Sequence, residues 1–156
     1  MPDIDPERNL TSELLVCLRK IIQLIDIHSK YLIKTVGLSI PQLTILYEVT
    51  RKGEQSTSEI AKAISLSQAT VTGILERLEK RGLIQRARDA IDRRRVLVRT
   101  TPECFKLLEN APPLLQESFV DAYSNLQAWE KSMILSSLQR MLSMMEAEKV
   151  DATLID

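Results

Sequence analysis

The stretch from Ser56 to Thr101 reads STSEIAKAISLSQATVTGILERLEKRGLIQRARDAIDRRRVLVRTT, and it contains the clearest signals for secondary structure in the chain. A short helix is predicted near Glu59, because the hydroxyl side chains of Thr57 and Ser58 can cap a helix and precede a small apolar face. Ser67 stands before a longer amphipathic run, so a second helix is predicted to begin there. A basic hairpin follows. This order of short helix, tight turn, longer helix and hairpin predicts a winged helix-turn-helix.

The second helix of this stretch has one apolar and one polar face. Its apolar residues recur at the spacing of a single buried stripe, and they are Val71, Ile74, Leu75 and Leu78. The opposite face carries Gln68, Ala69, Thr72, Gly73, Glu76 and Arg77. Small and hydrogen-bonding residues near the amino end of a helix suit close approach to base edges in the major groove of DNA. Ordinary solvated helix faces have a similar composition, so this helix alone does not separate the two interpretations.

The hairpin is strongly basic. Lys80-Arg81-Gly82 is expected to end the preceding helix. The apolar residues Leu83 and Ile84, and then Val96 and Val98, predict two short strands. The segment 86–95 between them is predicted to be a loop that buries no side chain. It contains five arginines, which are Arg86, Arg88, Arg93, Arg94 and Arg95. Because like charges repel one another, this loop predicts a polyanionic partner, contacted at phosphates or in the minor groove.

Three segments together resemble the MarR family of bacterial transcription regulators. They are LSQATVT at 66–72, LEKRGLI at 78–84 and DRRRVLVRTT at 92–101. The resemblance implies a winged helix-turn-helix that binds double-stranded DNA, with helices from both chain ends forming a dimer. It also implies that Arg94 enters the minor groove and that Asp92 helps to hold it.

The same resemblance implies roles for the other residues of the DNA-binding surface. Two recognition helices related by a two-fold axis would read half-sites of a pseudo-palindromic operator about one helical turn, roughly 34 Å, apart. The expected base-reading residues are Gln68, Ala69, Thr72, Gly73 and Arg77. The expected phosphate ligands are Ser67, Thr70, Arg86, Arg88, Arg93 and Arg95.

The remaining residues are predicted to form helices around this region, within one domain that covers residues 1–156. A helix over 10–36 has a broad apolar face, and the segment 102–149 has another, interrupted at Asn110 because two prolines follow. Such faces require a partner helix. We therefore expect dimerisation helices at 10–36 and 102–149, a winged region at 41–101, and a mainly α homodimer with a small β-hairpin wing.

Composition and charge limit the class of protein. The chain has 156 residues, of which 44% are hydrophobic, enough for the core of one domain. Its net charge is zero, but residues 51–100 carry a net charge of +6 and the remainder −6. A basic segment on an acidic scaffold is typical of a localised nucleic-acid-binding face. No apolar run can span a membrane and the first residues are acidic, so a cytoplasmic protein is expected.

A histidine and two tyrosines define a possible effector pocket. His28 lies on the apolar stripe of the first helix, where a core histidine that packs against its neighbours is one interpretation. The other follows from the resemblance, because small ligands of the family bind where this helix meets the winged domain. Tyr31 and Tyr47 would then line the same cleft.

Cys17 and Cys104 are far apart in sequence, and we expect both to be packing residues. With one histidine and four glycines in the chain, neither a metal site, a cofactor site nor an enzyme active site is predicted. Two alternatives stay open: a repressor that senses oxidants through Cys17, and a winged-helix module that binds only proteins.

Shorter matches resemble one branch of the family. They include DIHSK at 26–30 and APPL at 111–114, and they resemble regulators of compatible-solute genes such as those for ectoine. The implied signal is osmotic or ionic.

Overall fold

The computed structural model describes residues 6–89, 92 and 95–152. Within these ranges, side chains are described from residue 9 to residue 146. Seven helices and three strands occur in this part of the chain. In order they are α1 (Pro6–Val36), α2 (Ile40–Lys52), β1 (Gln55–Ser56), α3 (Thr57–Ala63), α4 (Gln68–Lys80), β2 (Ile84–Arg88), β3 (Val96–Thr100), α5 (Pro102–Glu109), α6 (Glu117–Ser124) and α7 (Ala128–Ala152). This confirms a mainly α fold with a small antiparallel wing.

The chain divides into two compact units, the first ending at Leu115 and the second beginning at Gln116. The first contains α1 to α5 and the sheet, and the second contains α6 and α7. The segment predicted to supply dimerisation helices at 102–149 thus consists of three helices. The first of them ends at Glu109, so the predicted break at Asn110 is confirmed.

Short polar side chains begin most helices of the first unit. Ser67 is the N-cap of α4 and accepts a hydrogen bond from the Thr70 N–H, as its sequence position predicts. The N-cap of α3 is Ser56, one residue before the predicted hydroxyl pair, because Glu59 completes a capping box with it. Thr101 caps α5 and also donates its hydroxyl proton to the Gly82 carbonyl at 2.7 Å.

The sheet has the order β1-β3-β2 with antiparallel pairing throughout. Arg86 of β2 lies opposite Val98 of β3, and Gln55 of β1 pairs with the same valine from the other side. The strand β2 therefore continues to Arg88, where the sequence predicts a loop from Arg86 onward. The apolar stripe of α4 packs beneath this sheet into one core, and its residues Val71, Ile74, Leu75 and Leu78 are all buried.

Two long helices keep much of their apolar surface uncovered by this chain. Eleven large hydrophobic side chains are exposed on α1, namely Leu10, Leu14, Leu15, Val16, Ile21, Ile22, Leu24, Ile25, Ile27, Tyr31 and Ile33. On α7 the exposed ones are Trp129, Met133, Leu135, Leu138, Leu142, Met144 and Met145. Within the described ranges, no helix is long and apolar enough to cross a membrane.

Candidate nucleic-acid interface

The amino end of α4 presents short polar side chains to solvent. The hydroxyls of Ser67 and Thr70 lie 2.7 Å apart, and both residues are exposed. Gln68 and Ala69 are also exposed in the first turn. The amide of Gln68 has no hydrogen-bond partner among the described residues, so it is available to a partner molecule.

Further along α4, two side chains donate hydrogen bonds to backbone carbonyls of the same helix. Thr72 donates its hydroxyl proton to the Gln68 carbonyl at 2.8 Å, and Arg77 donates from Nε to the Gly73 carbonyl at 3.1 Å. Gly73 has no neighbouring atom within 4 Å of where a Cβ would stand. Because glycine destabilises a helix interior by about 1 kcal/mol relative to alanine, and no packing requires it here, this position fits close approach by another molecule.

The wing is connected to the helix-turn-helix by two ion pairs. Nη2 of Arg86 lies 2.6 Å from a Glu79 carboxylate oxygen, and Nη2 of Arg95 lies 3.0 Å from Glu59. Hydrogen bonding to the Arg86 side chain is the main cause that lowers the pKa of Glu79. The pKa of Glu59 is also lowered, chiefly by its hydrogen bonds with Ser56.

These pairs correct the interpretation of five unneutralised arginines in a loop. Arg86 and Arg88 lie in β2, and carboxylates from the helix-turn-helix neutralise Arg86 and Arg95. Arg88 is exposed and has no ion-pair partner in the described part of the wing. Arg93 and Arg94 lie outside the described residues.

Two backbone hydrogen bonds join the described residues near the wing tip. The Arg95 N–H donates to the Asp92 carbonyl and the Asp89 N–H donates to the Arg95 carbonyl, both at 2.9 Å. A surface groove of about 400 Å³ brings together the start of α3, the start of α4 and the wing, and it is lined by Ser56, Thr57, Ser58, Glu59, Gln68, Arg95 and Val96. The start of α4 and the wing residues next to the tip thus border the same concave surface.

The three residues of the predicted effector pocket are only partly brought together. His28 is buried, its Nε2 lies 2.9 Å from the Pro113 carbonyl, and its ring centroid lies 5.8 Å from that of Tyr31. Tyr47 is half-buried against the core of the first unit. Burial raises the pKa of Tyr47, and no ring contact or hydrogen bond joins it to the other two across the described positions. The hydrogen bond to Pro113 fits the interpretation of His28 as a core residue.

The two cysteines differ. Cys104 is fully buried, and burial raises the pKa of its thiol, as expected for an unreactive packing residue. Cys17 is exposed, so the prediction that it lies in the core is wrong for this chain. The reason is that its turn of α1 belongs to the surface that the described chain leaves uncovered. No cluster of three or more potential metal ligands occurs among the described residues.

Sequence reasoning misses three residues that connect the helix-turn-helix to the wing or to α1. From the sequence, Glu59 indicates only a helix start, and Glu79 and Arg81 indicate only a helix end. Arg81 in fact donates hydrogen bonds to the carbonyls of Val36 and Gly37 at the end of α1. The only sequence signal for the Glu79 pair is a carboxylate seven residues before Arg86, across a turn, and none indicates the contact of Arg81.

Comparison with known proteins shows which family the chain resembles. The profile of the MarR family matches residues 38–96. The HTH-type transcriptional repressor NicR of Pseudomonas putida is 36% identical over 107 residues, which are 65% of this chain and 68% of NicR. The transcriptional regulator HosA of Escherichia coli is 31% identical over 107 residues, covering 68% of this chain and 78% of HosA.

A solved structure agrees with the family assignment. BpsR of Bordetella bronchiseptica, whose DNA binding is regulated by 6-hydroxynicotinic acid, superposes with a TM-score of 0.63 at 30% identity. The superposition covers 83% of this chain and 98% of BpsR. The chain therefore belongs to the MarR family of winged helix-turn-helix transcription regulators.

Proposed function

We propose that this regulator is a cytoplasmic homodimeric repressor that binds a pseudo-palindromic operator and is released from it by a signal. The observation that carries the proposal is the uncovered outer face of α4, where Gln68 and Ala69 stand exposed in the first turn. The exposed Arg88 lies on β2 of the wing. Amide and small side chains suit base edges, and an unpaired arginine suits a phosphate.

Each part of this surface has a proposed role. Gln68 and Arg77 would pair with bases, while Ala69, Thr72 and Gly73 allow the backbone to come close. Ser67 and Thr70 would bind a phosphate at the amino end of α4, where exposed amides favour an anion. At the wing, Arg88, Arg93 and Arg95 would follow the phosphate backbone, and Arg94, supported by Asp92, would enter the minor groove. Arg86 would contribute least, because Glu79 holds it.

Dimerisation is supported by the apolar surface of α1 and α7. Single exposed hydrophobic residues are normal on proteins, but eleven on one helix are not, and continuous apolar surface marks an interaction site. A second copy of the chain is the proposed partner, because a two-fold axis would place two α4 helices on one face of DNA.

Selection from random double-stranded DNA tests the core of this proposal. We expect the purified chain to enrich a palindromic sequence whose half-sites are about 10 base pairs apart. The same selection with Gln68→Ala should lose preference at one position of each half-site. Failure of the unaltered chain to enrich any sequence would overturn the proposal and favour a module that binds only proteins.

For the signal we propose a small aromatic acid. This is supported by the likeness to BpsR, whose DNA binding responds to 6-hydroxynicotinic acid. The His28–Tyr31 ring pair on α1 offers an aromatic edge against which such a ring could pack. Two other signals keep physical support. Ionic strength acts on any binding through phosphates, and the thiol of Cys17 is exposed in the single chain.

One titration series distinguishes these signals. Operator-bound protein is exposed separately to 6-hydroxynicotinic acid, to potassium salt over the osmotic range, and to peroxide. Release by the acid at constant ionic strength, with Tyr31→Ala insensitive, supports the aromatic effector. Release by peroxide that Cys17→Ser abolishes would replace it with a redox signal, and release by salt alone would replace it with an ionic one.

A further inference from the structure

The carboxyl ends of α1 and α4 are joined by one side chain. Arg81 is the C-cap of α4, and its guanidinium donates one hydrogen bond to the Val36 carbonyl at 3.3 Å and another to the Gly37 carbonyl. The last carbonyls of a helix lack partners within it and carry partial negative charge. A planar guanidinium is suited to hold two such acceptors at once. The contact thus connects positions 44 and 45 residues apart in the sequence.

The end of α1 is shaped for this contact. Gly37 has φ of +69°, a conformation that other residues adopt only with strain. A Cβ at this position would also stand 3.3 Å from a guanidinium nitrogen of Arg81. The contact therefore favours glycine at position 37, both for its backbone conformation and for the space beside the Arg81 guanidinium.

The contact of Arg81 with Val36 and Gly37 links α1, which is proposed to dimerise, to α4, which is proposed to read DNA. We propose that Arg81 is a positioning residue, which fixes the angle of the recognition helix to α1 and thereby the half-site spacing that the dimer accepts. The inference rests on the proposed function, since it requires a DNA-binding dimer. A helix held at its end by two charge-assisted hydrogen bonds keeps its direction better than one held by packing alone.

A direct phosphate contact by Arg81 is the competing explanation. Against it, the guanidinium is turned towards α1, at the end of α4 away from Gln68. With a rise of about 1.5 Å per residue, that end lies roughly 18 Å from the first turn. The neighbouring Lys80 provides a matched control, because it is exposed, carries the same charge and has no ion pair or hydrogen bond among the described side chains.

The test measures affinity for a set of duplexes rather than for one operator. Two identical half-sites taken from the selected sequence are separated by spacers from two base pairs shorter to two base pairs longer than the preferred one. Each base pair turns a half-site by roughly 35° about the DNA axis. The unaltered chain should bind the preferred spacing about fivefold or more tightly than spacings one base pair shorter or longer. Fivefold is the lower limit of typical coupling between sites.

Arg81→Gln should flatten this preference while the best spacing loses little affinity, and Lys80→Gln should lower affinity by the same factor at every spacing. Arg81→Lys, which keeps the charge but not the planar fork, should give an intermediate profile and carries the test if Arg81→Gln does not fold. Unchanged spacing profiles in both Arg81 variants would overturn the inference while leaving the proposed function intact. If the unaltered chain binds no palindrome at all, the proposed function is itself overturned.

Discussion

Glu79 of the recognition helix holds Arg86 of the wing through three contacts. One carboxylate oxygen lies 2.6 Å from Nη2 and 2.8 Å from Nε, and the other accepts a hydrogen bond from the Arg86 backbone N–H at 3.2 Å. Both side chains are partly shielded from solvent. The helix proposed to read bases and the strand that leads to the wing tip are therefore held to each other at one point by charge as well as by packing.

Replacing Glu79 by glutamine should destabilise the protein in a pH-dependent way. Because the pKa of Glu79 in the folded chain is below its ordinary value of 4.5, the pair stabilises the fold above that value and loses its contribution as pH falls through the lower pKa. We expect Glu79→Gln to reduce the free energy of unfolding at pH 7 by about 0.2–1 kcal/mol, as for other exposed pairs. Urea unfolding at pH 7 and pH 3 measures this difference.

Glu76 supplies the control for that measurement. It lies on the same helix, is exposed and has no ion pair among the described residues. Glu76→Gln changes the net charge equally, so its effect on unfolding should be near zero at pH 7. Equal losses for the two variants would show that the Glu79 pair contributes nothing specific.

A charge on the uncovered face of α1 should disrupt the dimer. Ile21 is 46% exposed in the single chain, and the proposed interface would bury it. Burying an unpaired charge costs several kcal/mol, so Ile21→Glu should yield monomers or unfolded chain in sedimentation at micromolar concentration. Gln23→Glu adds the same charge two residues away and should sediment as the parent does. Leu138→Glu, with Gln139→Glu beside it, repeats the comparison on α7.

The helices and their caps could be predicted from the sequence because local signals determine them. Ser67 caps α4 and its apolar stripe is buried, since an N-cap and a 3.6-residue period need no knowledge of distant residues. The prediction that the wing arginines lie in a loop is wrong for Arg86 and Arg88, because their place in a strand depends on residues distant in the sequence. The like charges of Arg86 and Arg88 give no local signal for a strand, yet both lie in β2, where Glu79 neutralises Arg86, and that ion pair depends on tertiary geometry. Cys17 shows the same limit, because its exposure depends on what covers α1.

Gln68 should determine sequence preference rather than overall affinity. Its amide is exposed at the first position of α4, and a bidentate pair with adenine discriminates against other bases by about 1–3 kcal/mol. Gln68→Ala should lose this amount at one base pair per half-site and leave affinity for random DNA unchanged, as judged by competition binding. Equal weakening on cognate and random DNA would mean that Gln68 contacts no base.

Two arginines on the same strand should respond differently to salt. Arg88 is exposed, whereas the side chain of Arg86 is only 28% exposed and is paired with Glu79. Each phosphate bound adds about 0.9 to the slope of log affinity against log salt, so removing one phosphate ligand from each subunit lowers it by about 1.8. Arg88→Ala should therefore flatten the slope by about 1.8, and Arg86→Ala by clearly less. Fluorescence anisotropy on one operator between about 50 and 200 mM salt gives both slopes.

The two variants remove the same charge from the same strand, so a general decrease of positive potential would flatten both slopes alike and contradict the distinction. The slope of the unaltered dimer also bears on the signal. With about 6–10 phosphate contacts, affinity would fall by roughly 10³ to 10⁵ over this salt range, enough for ionic strength alone to empty an operator. A slope that corresponds to only two or three contacts would leave too little salt sensitivity for such a switch. Release would then have to come from the aromatic acid or from an oxidant.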